Sequence, residues 1–358
     1  MLITSAKEVA ELPNLKAVPS NYYVDNHHNY SLPAAIIDTN DDDDSLIPII
    51  DFSLLSSEDP HQLSKAIQDL GRACQHWGFF MLVNHGIEEG LMEELIGVTN
   101  EFFLMPEEDK WKYKGENVFD PIKYGTSFNY TSNETNFYWR DFLKLSLHPQ
   151  FHSPDQPNNF REVLRDYCDK SRKVARMLLS GISESLGLEK ELMEKSLDLD
   201  SGFELLVANY YPACPQPELV LGLPPHSDFG LLTLLIQNDV GGLQIQHNGK
   251  WININPIPNS ILVNTGDHLE IFTNGKYKSV LHRAIVNKEA RISIGIANCP
   301  AMNAIVSPAD SPLIQNERLP PLYLPKEYRE YVEMQQTKPL DGKSCLDQIK
   351  INSPSKML

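Results

Sequence analysis

Apolar positions in the first half of the chain recur with helical spacing. Leu63, Ile67, Leu70 and Cys74 predict a helix over 60–76, capped by Ser56 or Ser57. Leu91, Leu95, Val98 and Phe102 predict a second over 88–104, and Leu164, Val174, Leu178, Ile182 and Leu186 a third over about 158–187. Short apolar runs at 47–51 and 79–83 read as buried strands. From about residue 203 the texture changes to strands and turns, at 204–211, 231–237, 243–247, 250–255, 260–264, 270–273, 280–286 and 291–298. Asn248-Gly249 suits the positive φ angles of a tight hairpin. A helix at 326–336 and a tail follow. Closely spaced strands without crossover helices predict a mainly β fold with supporting helices. Its core would be a double-stranded β-helix, or jelly roll, behind an N-terminal α/β region. The expected division is a polar segment 1–47, a helix-and-strand region 48–190, a β core 200–310 and a C-terminal helix and tail 311–358.

Within the strand-rich half, Pro224-Pro225-His226-Ser227-Asp228-Phe229-Gly230 sets an imidazole and a carboxylate two positions apart. On extended backbone, such residues project to one side and can reach one point. His282, in Val280-Leu281-His282-Arg283, offers a second imidazole from a strand that a barrel can lay alongside. Two histidines and a carboxylate on one face of a metal leave positions open, which suits iron(II) and oxygen chemistry. An isolated His-x-Asp is common by chance, so its context decides. Arg291 and Ser293 are also two apart, and a guanidinium fork with a hydroxyl beside it can hold a carboxylate. Alone, an arginine at a strand start is ordinarily a surface ion-pair partner. Beside the triad, it reads as the anchor for the far carboxylate of a diacid. Asn209-Tyr210-Tyr211-Pro212 adds an amide and a phenol, with Tyr211 as a further contact.

Charge narrows the partners. A formal net charge of −17 without a dense Lys/Arg run argues against nucleic acid and against an anionic membrane surface. No stretch approaches the roughly 18 to 20 apolar residues that span a bilayer. The first residues lack the pattern of a secretory signal, and Cys74, Cys168, Cys214, Cys299 and Cys345 form no CxxC pair. The expectation is reduced thiols in the cytoplasm. The run Asp41–Asp44 reads as a solvated, self-repelling linker rather than a metal site.

Several motifs together resemble plant 2-oxoglutarate/Fe(II)-dependent dioxygenases. They are Asn209-Tyr-Tyr-Pro-Ala-Cys-Pro-Gln-Pro217, Gly222-Leu-Pro-Pro-His-Ser-Asp228, Gly241-Gly-Leu-Gln-Ile-Gln246, Gly266-Asp267, Asn274–Arg283 and Arg291-Ile-Ser293. Upstream, Cys74-Gln-His-Trp-Gly-Phe-Phe80 and Val83-Asn-His-Gly-Ile87 are similar to that family's N-terminal region. The likeness spans roughly residues 47–350 in order and points to the branch of specialised metabolism, beside flavonoid, alkaloid and phenolic oxygenases. It implies iron ligands His226, Asp228 and His282, with 2-oxoglutarate on Arg291, Ser293, Tyr211 and Asn209. It also implies O2 as oxidant, ascorbate as reductant, and release of succinate and CO2 while a small aromatic or polycyclic metabolite is oxidised. Hydroxylation is the usual outcome; desaturation, ring closure and dealkylation are variants. A monomer is the default. One departure is that Asn287-Lys-Glu-Ala-Arg291 is a residue shorter than in many relatives. In a strand that would flip the arginine's face; in a polar turn, the reading preferred here, it would not.

Substrate contacts are less legible. The segment with Tyr124, Phe128, Tyr130, Phe137, Tyr138 and Trp139 reads as a loop or ribbon near the barrel mouth. Core packing is the default for its aromatics, and Phe128 and Tyr130 are the candidates for stacking on substrate. Leu205 and Val207 are expected to project into the barrel, and a helix with Tyr328, Tyr331 and Met334 to close over it. His85 and His268 read as structural, and His247 as exposed. Two other readings stay open: a jelly-roll binding protein with a non-catalytic metal, and an ascorbate-dependent oxidase of aminocyclopropane carboxylate that does not use 2-oxoglutarate.

Overall fold

The computed structural model describes residues 5–24, 47–127, 137–308, 320–337 and 342–351. The strands that matter are β1 Ile49–Asp51, β2 Phe79–Val83, β3 Ile122–Thr126, β4 Asp141–His148, β5 Gly202–Tyr211 and β6 Leu221–His226. They continue with β7 Leu232–Gln237, β8 Leu243–His247, β9 Lys250–Ile254, β10 Ile261–Thr265, β11 His282–Ile285 and β12 Arg291–Ala301. One sheet of eight runs β1-β2-β10-β7-β12-β5-β4-β3, and a second of four runs β6-β11-β8-β9. Only the β1–β2 pairing in these sheets is parallel. The two sheets face each other as a jelly roll and line one cavity between them.

Strand β12 shows how sequence makes this arrangement. It lies between β5 and β7 and is buried along its whole length. Ile292, Ile294 and Ile296 face the main apolar core, while Arg291, Ser293, Gly295 and Ala297 line the cavity. A strand covered on both faces must be nearly apolar, so its two polar inward residues need a purpose. Helices Pro60–His76 and Glu89–Leu104 both pack on the long helix Phe160–Ser185, whose Leu164, Tyr167, Val174, Leu178 and Ile182 enter the same core. No helix among the described residues is long and apolar enough to cross a membrane.

Most expected elements are present, with four differences. The first helix is capped by Asp59, because residues 52–56 already form a 3-10 turn. The expected strand at 270–273 is instead the end of a short helix, Asp267–Phe272; a brief apolar run fits either state by periodicity alone. The ribbon around Tyr124 and Trp139 contains two regular strands, β3 and β4, paired side by side. Residues 5–24 pack onto the fold: the amides of Ala6 and Lys7, opening helix Ala6–Ala10, donate to the buried Asp141 carboxylate at 2.8 and 2.9 Å. Other readings hold. Asn248 and Gly249 both have positive φ, as the β8–β9 hairpin requires, and all five cysteines are buried with no disulfide between them.

Candidate active site

His226 ends β6 and His282 opens β11; the two are register partners whose ring centroids lie 4.2 Å apart. Asp228 is not on the strand, as simple alternation suggests, but just past its end. Two neighbouring strands aim it. Thr233 on β7 and Asn264 on β10 donate to its Oδ2 at 2.5 and 2.8 Å. The other oxygen, Oδ1, is left 3.9 Å from His226 Nε2 and 3.6 Å from His282 Nε2. Each histidine engages a nearby carbonyl through Nδ1, His226 on Pro224 at 2.8 Å and His282 on Val280 at 3.1 Å. That contact fixes the tautomer and turns a bare Nε2 inward. One donor atom from each of the three lies within 4.8 Å of the others.

The loop carrying Asp228 is itself clamped. The amides of Asp267 and His268 donate to the carbonyls of Asp228 and Gly230 at 2.7 and 3.1 Å. This approach explains Gly266, since a Cβ there would sit 2.2 Å from the Gly230 oxygen.

Electrostatics prepare the same set for a cation. Burial, then the neighbouring His282, holds the His226 imidazole well below its ordinary range, which favours the neutral ring that a metal needs. Burial opposes ionisation of Asp228, but His282, His226, Asn264 and Thr233 together hold its carboxyl below the usual range. Two nitrogen donors and an ionised carboxylate, converging with three of their other atoms already engaged, fit a divalent metal that keeps open positions.

At the other end of the cavity, the turn between β11 and β12 absorbs the short spacing, and Arg291 faces inward. Arg291 pairs in register with Tyr211, and Ser293 with Asn209. Arg291 is 1% exposed, donates from Nη2 to Gln237 Oε1 at 2.6 Å, and lies 5.1 Å from the Tyr211 ring centroid. Its Nε has no partner. Burial lowers its pKa, and no acidic side chain among the described residues stands within ion-pair distance. A buried guanidinium without a counter-ion is costly, so an anionic ligand fits here.

All four expected residues of this end, together with the triad, Leu205 and Val207, line the one cavity. Phe128 and Tyr130 lie outside the described residues. Of their neighbours, Trp139 is fully buried and donates to the Pro212 carbonyl at 3.0 Å, while Tyr124 bonds Glu107; both serve packing. Tyr328 and Tyr331 do not reach the cavity. They pack edge-on against His268, centroids 4.6 Å away, and helix Tyr328–Gln336 meets the cavity through Gln335 and Gln336. His85 and His268 are buried and structural, each using Nδ1 on local backbone. His247 is not exposed as expected: it stacks on Trp77 at 3.9 Å. Arg140 and Lys144 on the cavity wall were not expected at all.

Known proteins are similar to this chain in sequence and in fold. The family model of the 2OG-Fe(II) oxygenase superfamily matches residues 202–300, and that of the non-haem dioxygenase in morphine synthesis N-terminal matches residues 47–164. The chain is 42% identical over 307 residues to 2-oxoglutarate-dependent dioxygenase 19 of Oryza sativa subsp. japonica, covering 85% of this chain and 90% of that one. It is 36% identical over 359 residues to thebaine 6-O-demethylase of Papaver somniferum, covering 98% and 97%. Among solved structures, JOX2 in complex with 2OG, Fe and JA superposes with a TM-score of 0.85 at 31% identity, over 98% of both chains. The chain belongs to the 2OG-Fe(II) oxygenase superfamily and is a 2-oxoglutarate-dependent dioxygenase, an oxidoreductase that uses Fe(II) and 2-oxoglutarate.

Proposed function

We propose that His226, Asp228 and His282 hold the Fe(II), and that Arg291 and Ser293, with Tyr211 and Asn209, hold 2-oxoglutarate. The substrate would be a small, aromatic or polycyclic metabolite facing Leu205 and Val207, hydroxylated as succinate and CO2 are released. The observation that carries this reading is one cavity with a convergent N2O donor set at one end and a buried arginine lacking an acid at the other. The jelly-roll region 200–310 is then the catalytic part, with 48–190 and 311–358 supporting it. O2 would be the oxidant, with Fe(II) and 2-oxoglutarate, when bound, supplying the means to activate it. The chain's residues supply placement. Arg291 offers a bidentate fork to the far carboxylate, and Ser293 a hydroxyl beside it. The Gln237 contact and the Tyr211 ring hold the guanidinium in plane. The apolar wall excludes water and aims the substrate, so reaction occurs at one C–H bond.

We further read the protein as a cytoplasmic monomer with no nucleic-acid or membrane partner and with ascorbate as its reductant. The net charge of −17 supports the absence of a nucleic-acid or anionic-membrane partner, and five buried cysteines without a disulfide support a reducing compartment. Anaerobic titration with Fe(II) and 2-oxoglutarate tests the assignment. A metal-to-ligand absorption band that disappears in His226→Ala is the expected result, with substrate-coupled succinate on admitting O2. A metal that binds without any band or succinate points to the binding protein. Turnover with ascorbate and no succinate points to the other oxidase.

A further inference from the structure

Besides Arg291, the cavity wall carries Arg140 and Lys144, two cationic side chains that the reading above does not use. Strand β4 forms one wall, with alternate residues Phe142 and Lys144 on the face opposite its buried Leu143 and Leu145. Lys144 pairs in register with Val207 on one side and, unusually, with Lys123 on the other. Like charges directly opposed in a sheet repel. Its ammonium donates to the neutral Gln336 amide at 2.6 Å and lies 5.5 Å from the Phe142 ring centroid. No acidic side chain among the described residues stands within ion-pair distance of it. Arg140 lies on the same wall, its guanidinium donating to Asn209 Oδ1 at 3.0 Å and to the Ser127 carbonyl at 3.3 Å. In a chain with 48 acidic residues against 31 basic ones, a cavity-wall lysine that meets a neutral amide, with no acid among the described residues at ion-pair distance, is not what composition supplies.

We propose that the substrate is an organic acid, and that its carboxylate pairs with Lys144 in the field of Arg140 while its oxidised carbon faces the metal site. The inference rests on the functional reading above and adds a substrate class to it. The geometry suits a small molecule. From β4 to β7, whose Thr233 steadies Asp228, there are three strand spacings, roughly 14 Å, which the lysine side chain shortens by several ångströms. Partial withdrawal from water, with Arg140 and Lys123 beside it, pulls the Lys144 ammonium down to about 7, as befits a cation awaiting a counter-ion. The amide of Gln336 is a neutral placeholder that a carboxylate can displace.

The test uses matched pairs on different skeletons: cinnamate, 4-hydroxycinnamate, indole-3-acetate and jasmonate, each against its methyl ester. Binding is measured by calorimetry on the full chain loaded with Mn(II) and 2-oxoglutarate, which needs no turnover. At least one acid should bind about tenfold or more tightly than its ester. Lys144→Gln should erase that preference by weakening the acid alone, and Lys144→Arg should restore it. If no acid outbinds its ester, or the preference survives in Lys144→Gln, the proposal is overturned. The Fe(II)/2-oxoglutarate absorption band of the parent protein, recorded separately, reports on the functional reading itself. Its presence with an ester-preferring cavity sinks the acid and spares the oxygenase centre.

Discussion

The His226–Asp228–His282 cluster and the β4 wall of the cavity differ in how completely their polar groups are partnered. Around the triad, both histidine Nδ1 atoms and one Asp228 oxygen are engaged, leaving three atoms free and aimed inward. Along β4, Lys144 meets a neutral amide and the Phe142 ring, with no acid at ion-pair distance among the described residues, and opposes another lysine. The first pattern is that of chemistry that must be held still, because a misplaced ligand loses the metal. The second is that of recognition, where the missing partner arrives with the ligand. Arg291 combines both: buried and steadied by Gln237, yet without an acid among the described residues.

Breaking the triad should have the largest effect. Asp228→Ala removes the charged ligand and should cut iron-dependent succinate release by about a thousandfold or more. The protein should stay folded by circular dichroism, because β6 and β11 remain paired through positions 226 and 282. Normal turnover in this variant would mean that the metal sits elsewhere. Arg291→Lys comes next. An ammonium cannot reproduce the planar fork, so the 2-oxoglutarate requirement should rise about a hundredfold while metal affinity stays near the parent value. An unchanged KM for 2-oxoglutarate would remove Arg291 from the cosubstrate site.

Thr233→Val sharpens the contrast within the partnered end. It deletes the 2.5 Å bond to Asp228 Oδ2 but leaves Asn264 in place and keeps the side-chain shape. Loss of such an orienting partner typically lowers metal affinity about tenfold or more, readable by Mn(II) titration. An unaltered affinity would mean that Asn264 alone aims the carboxylate.

How much of this was legible in the sequence follows the same division. The convergence of His226, Asp228 and His282, and of Arg291 with Ser293, on one cavity could be read because strand alternation puts residues two apart on one side, which Arg291 and Ser293 fulfil on β12. Even there, Asp228 obeys a different cause: it lies past the strand end and is aimed by Thr233 and Asn264, which are distant in sequence. On β4, Leu143, Leu145 and Leu147 alternate with Phe142, Lys144 and Ser146, enough to mark a strand and set Lys144 on its polar face. Nothing local says that this face borders the cavity rather than bulk water. That depends on β4 pairing with β5, a long-range event. The helix Asp267–Phe272 was missed for a similar reason, its short apolar run being satisfied by burial on every side. Tyr328 and Tyr331 look like lid residues by position, yet His268 draws both into the interior.

That interior placement leads to the smallest effect. Tyr331 donates its hydroxyl to Asp267 at 2.7 Å, and the Asp267 amide donates to the Asp228 carbonyl at 2.7 Å. A chain of two hydrogen bonds therefore joins the C-terminal helix to the metal-site loop. Tyr331→Phe removes the first link without leaving a hole, costing about 1 to 2 kcal/mol as a buried bond to a carboxyl group. In a chain of 358 residues the melting midpoint should fall by about 1 to 3 °C. Because the second link is a backbone bond independent of that hydroxyl, Mn(II) affinity should fall less than in Thr233→Val. If Tyr331→Phe weakens the metal as much as Thr233→Val does, the triad is held in place by the C-terminal helix as well as by its own strands. The contrast between a self-sufficient centre and a recognition wall completed by its ligand would then have to be redrawn.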